Sequence, residues 1–132
     1  MISKYLSDLG IKEENLPWHW YHDEQKWVEQ REVYGFDERD TWGLGYTLIL
    51  LIYPRLKMYK EYADKYIDTG FHKFDYKGET LTQQECIDKI LEGLEYYLTS
   101  TLCLKDDEEE ECIEKAIESL ELLSVIFPVL WW

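Results

Sequence analysis

The 132-residue chain carries a formal charge of −14, with 45% hydrophobic and 16% aromatic residues. That apolar content excludes a disordered chain, and the length suffices for one domain whose core needs neither metal nor disulfide staples. Charge is uneven: residues 1–84 hold 15 acidic and 11 basic side chains, residues 85–132 hold 13 and 3, so the C-terminal part repels nucleic acid and anionic membrane and favours basic partners.

Residues 1–9 read as a short helix ended by Gly10, and Pro17 opens an aromatic stretch, Trp18-His19-Trp20-Tyr21. Residues 22–33 read as a polar helix carrying Trp27 and stopped near Gly35. Asp40 or Thr41 caps the longest helix, 41–68, whose middle (46–52) is apolar on all sides and so marks a central, surrounded helix. Pro54 lies inside it and predicts a kink or a break. Beyond the proline, Leu56, Tyr59, Ala63 and Tyr66 keep an apolar spacing while Lys57, Lys60 and Glu61 face elsewhere.

Gly70 ends that helix, and loose alternation around Lys77-Gly78 suggests a small hairpin or an extended loop near 71–81. Thr82-Gln83-Gln84-Glu85 is a capping box, in which the threonine hydroxyl takes the amide three residues on and the glutamate reaches back. Ile87, Ile90, Leu91, Leu94, Tyr97 and Leu98 follow as an apolar stripe. Asp106 or Asp107 starts a last helix, with Ile113, Ala116, Ile117, Leu120, Leu123 and Phe127 as its buried face and Pro128 as its stop. The short connection near Lys105 makes these two helices antiparallel neighbours. The expected fold is a single all-α domain, a small helical bundle with helices near 22–33, 41–68, 82–103 and 107–127 around the long, proline-kinked helix.

Cys86, Cys103 and Cys112 are odd in number and form no C-x-x-C, so they are expected to be reduced, half-buried residues of a cytosolic protein. No basic start followed by an apolar run follows Met1, which predicts no signal peptide, and the longest apolar run, 48–53, is too short for a bilayer.

The most specific chemical feature is a pair of acidic stripes: Glu85, Asp88, Glu92 and Glu95, and Asp107, Glu111, Glu114, Glu118 and Glu121. Each set lines one helical face with neighbours about 5–6 Å apart. Two readings apply, a solvated outer face or a row of phosphate-like charges for a basic groove. Arg55, Lys57, Lys60, His72 and Lys73, interleaved with tyrosines such as Tyr59, form the basic concentration. They suit either intramolecular pairing or an anionic nucleotide, with cations on phosphate and rings on base.

His19 and His22 beside Asp23 and Glu24, and Asp64, Asp68 and His72 spaced by fours, fall short of the ligand sets that zinc needs, so no metal or cofactor is expected. The common nucleotide, hydrolase and metalloprotease motifs are absent, and no catalytic residue is assigned. The apolar tail Pro128-Val129-Leu130-Trp131-Trp132 is expected to pack on the N-terminal aromatics or to form a homodimer contact, the dimer being favoured.

Residues 34–61 contain Tyr34-Gly35-Phe36-Asp37, Thr41-Trp42 and Pro54-Arg55-Leu56-Lys57. At this spacing they resemble a group of small proteins encoded in phage and prophage genomes, with a looser likeness near 92–95. Gly45 stands where that group often has an aspartate, so no carboxylate role is expected there. The resemblance implies an accessory protein acting in a bacterial cytoplasm and carries no activity over.

Together these features predict a phage-encoded, non-enzymatic binding protein that inhibits or modulates a host defence or DNA-processing protein. The acidic stripes would meet that partner's basic surface and Trp131 and Trp132 would supply an apolar anchor, with no direct nucleic-acid or membrane contact. The alternative is a small-molecule binder that sequesters a nucleotide or signalling molecule through Arg55, Lys57, Tyr59, Lys60 and His72.

Overall fold

The structure, a computed structural model, describes residues 2–16, 23–102 and 109–132, without the side chains of residues 101, 102 and 109. The chain is mostly helical: α1 (Lys4–Asp8), a 3₁₀ turn at Glu13–Asn15, α2 (Glu24–Tyr34), α3 (Arg39–Trp42), α4 (Leu44–Tyr66), α5 (Gln83–Leu102), α6 (Glu109–Ile126) and a 3₁₀ turn at Phe127–Val129. Between α4 and α5, β1 (Lys73–Tyr76) and β2 (Glu79–Thr82) form an antiparallel hairpin in which Phe74 faces Leu81. The hairpin is one of the two forms expected near 71–81, and with it the domain is mostly helical with one small sheet rather than all-α. Lys77 and Gly78 both take positive φ, 48° and 78°, which is the primed turn that matches strand twist.

Local chemistry explains several boundaries. Gly35 ends α2 in the left-handed conformation, φ 83°, where its amide reaches the Arg31 carbonyl at 2.9 Å. The Thr82 capping box opens α5: the Glu85 amide donates to Thr82 Oγ1 at 3.2 Å and the Thr82 amide to Glu85 Oε1 at 3.1 Å. The expected 41–68 helix is instead two pieces, because Gly43 leaves helical geometry (φ −132°, ψ 73°) between α3 and α4. Neither Asp40 nor Thr41 caps α4; the Thr41 hydroxyl donates to the Glu38 carbonyl at 2.7 Å. Pro54 lies within α4, and the helix continues through it without a break.

The helix with partners on both sides is α5, which packs against α4 and α6. Cys86, Ile87, Ile90, Leu91, Leu94 and Leu98 are buried along it. Contacts with α4 run antiparallel, from Tyr46 against Tyr97 to Tyr59 against Gln83. Contacts with α6 also run antiparallel, from Gly93 against Ser119 to Tyr96 against Lys115. The expectation that 46–52 is surrounded fails: Ile49 is buried, but Leu48 and Leu51 are 44% and 47% exposed.

The buried face of α6 also differs from expectation. Cys112, Ala116, Ser119, Leu122 and Ile126 are buried, whereas Ile113, Ile117 and Phe127 are exposed. The cause is the closeness of α5. A Cβ placed on Gly93 would lie 2.0 Å from Ser119 Oγ and 3.1 Å from the Lys115 carbonyl, so only small side chains fit at this crossing. Cys86 and Cys112 are buried free thiols rather than half-buried ones; Cys103 lies outside the described residues. No helix among the described residues is long and apolar enough to cross a membrane.

The crossing predicts the effect of filling it. Gly93→Ala lowers stability in urea unfolding by about 1–3 kcal/mol, the usual cost of overpacking, despite alanine's better helix propensity. Adding Ser119→Ala, which removes the nearest atom, recovers part of the loss.

Candidate functional site

The segment that carries the phage-protein resemblance builds the corner between α2 and α3. Asp37, buried at 5% exposure, accepts from Arg31 at 2.6 Å, from Arg39 Nη2 and Nε at 2.8 and 2.9 Å, and from the Arg39 amide at 3.1 Å. The Arg39 guanidinium lies 4.0 Å from the centre of the Trp27 ring, and Trp27 meets Trp42 edge-on at 6.4 Å. Hydrogen bonds from Arg39, then Arg31, hold the Asp37 carboxyl at about 2, against 3.8 for an ordinary aspartate. These groups satisfy one another, so the corner is a structural node. Its arginines make Asp37 legible only once the chain is folded.

The two acidic stripes do not meet as a pair. On α5, Glu85 is the helix cap, Asp88 pairs with Lys60, and Glu95 accepts from the buried Tyr53 hydroxyl at 2.7 Å with Lys57 at 3.7 Å. Asp88 and Glu95 of the α5 stripe are thus turned toward α4, whereas Glu85 serves the cap and Glu92 lines the groove toward α6. On α6, Glu118 pairs with Lys77 at 3.1 Å and Glu121 accepts from the Tyr76 hydroxyl at 2.8 Å, both at the hairpin. Glu111 and Glu114 are exposed, with no ion pair to any described residue. Asp107 lies outside the described residues, as do His19, His22, the aromatic stretch and the expected cap of the last helix.

The basic strip is dispersed. Lys57 and Lys60 face α5 carboxylates, while Arg55 projects elsewhere and donates to the Leu51 carbonyl at 3.0 Å. Tyr59 is held by a knot that sequence reasoning missed: it donates to the Trp131 carbonyl at 2.9 Å and accepts from buried Gln83 at 2.8 Å. His72 is exposed beyond the end of α4, edge-on to Phe71 at 5.1 Å. These five residues do not converge on one ligand. Nor does any group of three or more metal-binding side chains form among the described residues.

The C-terminal tail folds back on α4. Trp132 stacks on Tyr62 at 4.8 Å and on Tyr66 at 5.4 Å, and Trp131 stays 61% exposed. Neither tryptophan lies on the outer face of α6, so neither anchors the acidic stripe there.

Between the hairpin, α5 and α6 runs a groove of about 270 Å³. It is lined by Lys77, Lys89 and Lys115 and by Glu79, Glu92 and Glu118, with Gly93 at its floor. Lys77 pairs with Glu118, Lys89 with Glu79 at 3.1 Å, and Lys115 sits 5.1 Å over the Tyr96 ring. Cation and anion balance locally, which leaves no cationic cradle for phosphate.

One exposed apolar surface among the described residues is the outer face of α6. Ile113 and Ile117, one turn apart and both exposed, stand among Glu110, Glu114, Glu118 and Glu121. Sequence reasoning placed these isoleucines in the core as one apolar face with Ala116, Leu120 and Leu123; the signal against it is the second phase, Cys112, Ala116 and Ser119, whose Ser119 is small enough to face Gly93.

Two outcomes follow. Because the Asp37 carboxyl is depressed in the folded chain, its contribution is complete above about pH 4 and fades as pH falls toward 2. Asp37→Asn therefore costs roughly 2 kcal/mol at pH 7, and the gap to wild type narrows in unfolding measurements as the pH is lowered from about 5 to 3. Glu95→Ala strands the buried Tyr53 hydroxyl and costs about 1–2 kcal/mol. Tyr53→Phe in the same background restores part of it, as a double-mutant cycle reads directly.

Comparison of the chain with protein-family models, curated proteins and solved structures returns no match.

Proposed function

We propose that this chain is a phage-encoded, non-enzymatic protein-binding module that inhibits or modulates a host protein by covering part of a basic surface. The observation that carries the reading is the outer face of α6, where exposed Ile113 and Ile117 lie beside a flank of exposed carboxylates. An apolar centre with a charged rim is the layout of an interface hot spot. Glu111 and Glu114 have no ion pair with a described residue, so a partner's lysines and arginines meet them without competition. The net charge of −14 adds long-range steering toward such a partner. The likeness of residues 34–61 to phage and prophage proteins supports the origin, and a DNA-processing or defence factor, which holds its own nucleic acid by basic residues, is the natural target.

This reading narrows the anionic surface expected from sequence. Asp88 and Glu95 are engaged with α4, and the anchor is the isoleucine pair rather than Trp131 and Trp132. The test is affinity capture from a bacterial host lysate at low and high salt, followed by mass spectrometry. Wild type retains a basic partner that elutes with rising salt. Glu111→Lys with Glu114→Lys loses it, and so does Ile117→Asp alone, while circular dichroism and melting stay as in wild type. Retention of every partner by both variants would return this face of α6 to a merely solvated role.

A further inference from the structure

The exposed side of α4 carries a second, separate surface. Leu44, Leu48, Leu51, Arg55, Met58 and Tyr62 follow one another at intervals of 4, 3, 4, 3 and 4 residues, the spacing of a heptad seam. All six are exposed, the last of them, Tyr62, with Trp132 of the tail stacked on its ring, while Ile49, Tyr53, Leu56 and Ala63 on the other side of the helix are buried. The seam is about 27 Å long at 1.5 Å per residue. Beside it opens a cleft of about 530 Å³ whose apolar wall is Ile2, Leu6, Phe36 and Leu50 with Leu51 of the seam, and whose polar lining includes Ser3, Asp40 and Thr47 with Arg55. A ridge of core-spaced apolar residues next to a cleft with an apolar wall is the receiving geometry for an amphipathic helix, whose largest side chain enters the cleft.

Arg55 determines what kind of helix fits. It occupies a core position of the seam, between Leu51 and Met58, and its guanidinium reaches only the Leu51 carbonyl and no carboxylate among the described residues. A second copy of this chain is a poor occupant. In-register parallel pairing places Arg55 against Arg55, two-fold antiparallel pairing about the middle of the seam places each Arg55 against Leu51 with no carboxylate to meet it, and each copy brings a charge of −14. An acidic residue in the partner's seam converts the same position into an ion pair that fixes register. We propose that the exposed seam of α4 is a docking site for an amphipathic helix of a different protein, one that carries an acidic residue within its apolar stripe opposite Arg55. This surface lies on α4 and is independent of the α6 face.

The test uses the full chain and two fluorescent three-heptad synthetic helices with leucine at the core positions, identical except for glutamate or lysine at the central one, read by anisotropy. The glutamate peptide binds saturably and the lysine peptide at least about tenfold more weakly, as expected for opposite against like charge at a semi-buried site. Arg55→Glu reverses that preference. Leu51→Glu, an exposed position whose change leaves the melting curve intact, abolishes binding of both. Equal affinity for the two peptides, no binding of either, or binding that survives Leu51→Glu overturns the proposal. Sedimentation on the free chain decides against it in another way: a dimer that dissociates with Leu51→Glu makes the occupant a second copy. Glu111→Lys with Glu114→Lys leaves peptide binding unchanged, so failure of this proposal and failure of the α6 reading are told apart.

Discussion

Everything else in the fold follows from how closely α5 and α6 approach at Gly93. With the Ser119 hydroxyl where a Cβ would otherwise sit, the two backbones can cross only if the facing residues are small, and Cys112, Ala116 and Ser119 meet that requirement. Small residues at a helix crossing trade hydrophobic bulk for close backbone packing and many short dispersion contacts. The consequence is rotational. Once α6 presents its small face to α5, Ile113 and Ile117 must point outward, and the exposed acidic residues of the helix flank the apolar spot they make. The same crossing leaves the opposite side of α5 for α4, which turns its Ile49, Tyr53 and Leu56 side inward and its Leu48 and Leu51 side to solvent.

Charge is then partitioned by this geometry rather than by sequence position. An excess of carboxylates on so small a chain repels itself, and the fold relieves part of that repulsion by bringing the few cations against it. Lys60 and Lys57 of α4 lie on Asp88 and Glu95 of α5, and Lys77 of the hairpin on Glu118 of α6. Exposed pairs of this kind add little stability singly. Their larger effect is to decide which carboxylates stay available, and those are on the outer turns of α6. Glu95 differs from the rest because it also accepts from a buried phenol, whose pKa burial and the neighbouring carboxylate push upward. It therefore ties α4 to α5 whatever the salt concentration.

The tail and the α2–α3 corner close the two ends of the molecule by different means. At one end, Gln83, Tyr59 and the backbone of residues 129–131 form a hydrogen-bonded knot that lays Trp132 along Tyr62 and Tyr66. At the other, Asp37 gathers two arginines, one of them seated on Trp27. Neither cluster leaves a titratable group idle, which is why residues that look reactive on paper, Tyr59 and Asp37 among them, are structural in the folded chain.

What the sequence determined by itself was local. The Thr82–Glu85 box, the left-handed stop at Gly35, the Lys77-Gly78 turn and the α5 stripe are readable because each depends on residues within one or two helical turns, where backbone sterics and a single hydrogen bond decide the outcome. Tertiary structure alone decided which phase of α6 is buried, because hydrophobic bulk favours Ile113 and Ile117 while the space beside Gly93 takes the small Ser119, and Cys112 and Ala116 on the same face are buried with it. It also decided that the apolar run in α4 is covered on one side only, since an all-apolar stretch carries no sign of how many neighbours it will have. The division of the carboxylates belongs to the same class. A stripe of Glu and Asp looks the same on paper whether it faces solvent or a lysine from a helix about 30 residues away, and only the packing of α4 on α5 separates the engaged Asp88 and Glu95 from Glu111 and Glu114, which pair with no described residue.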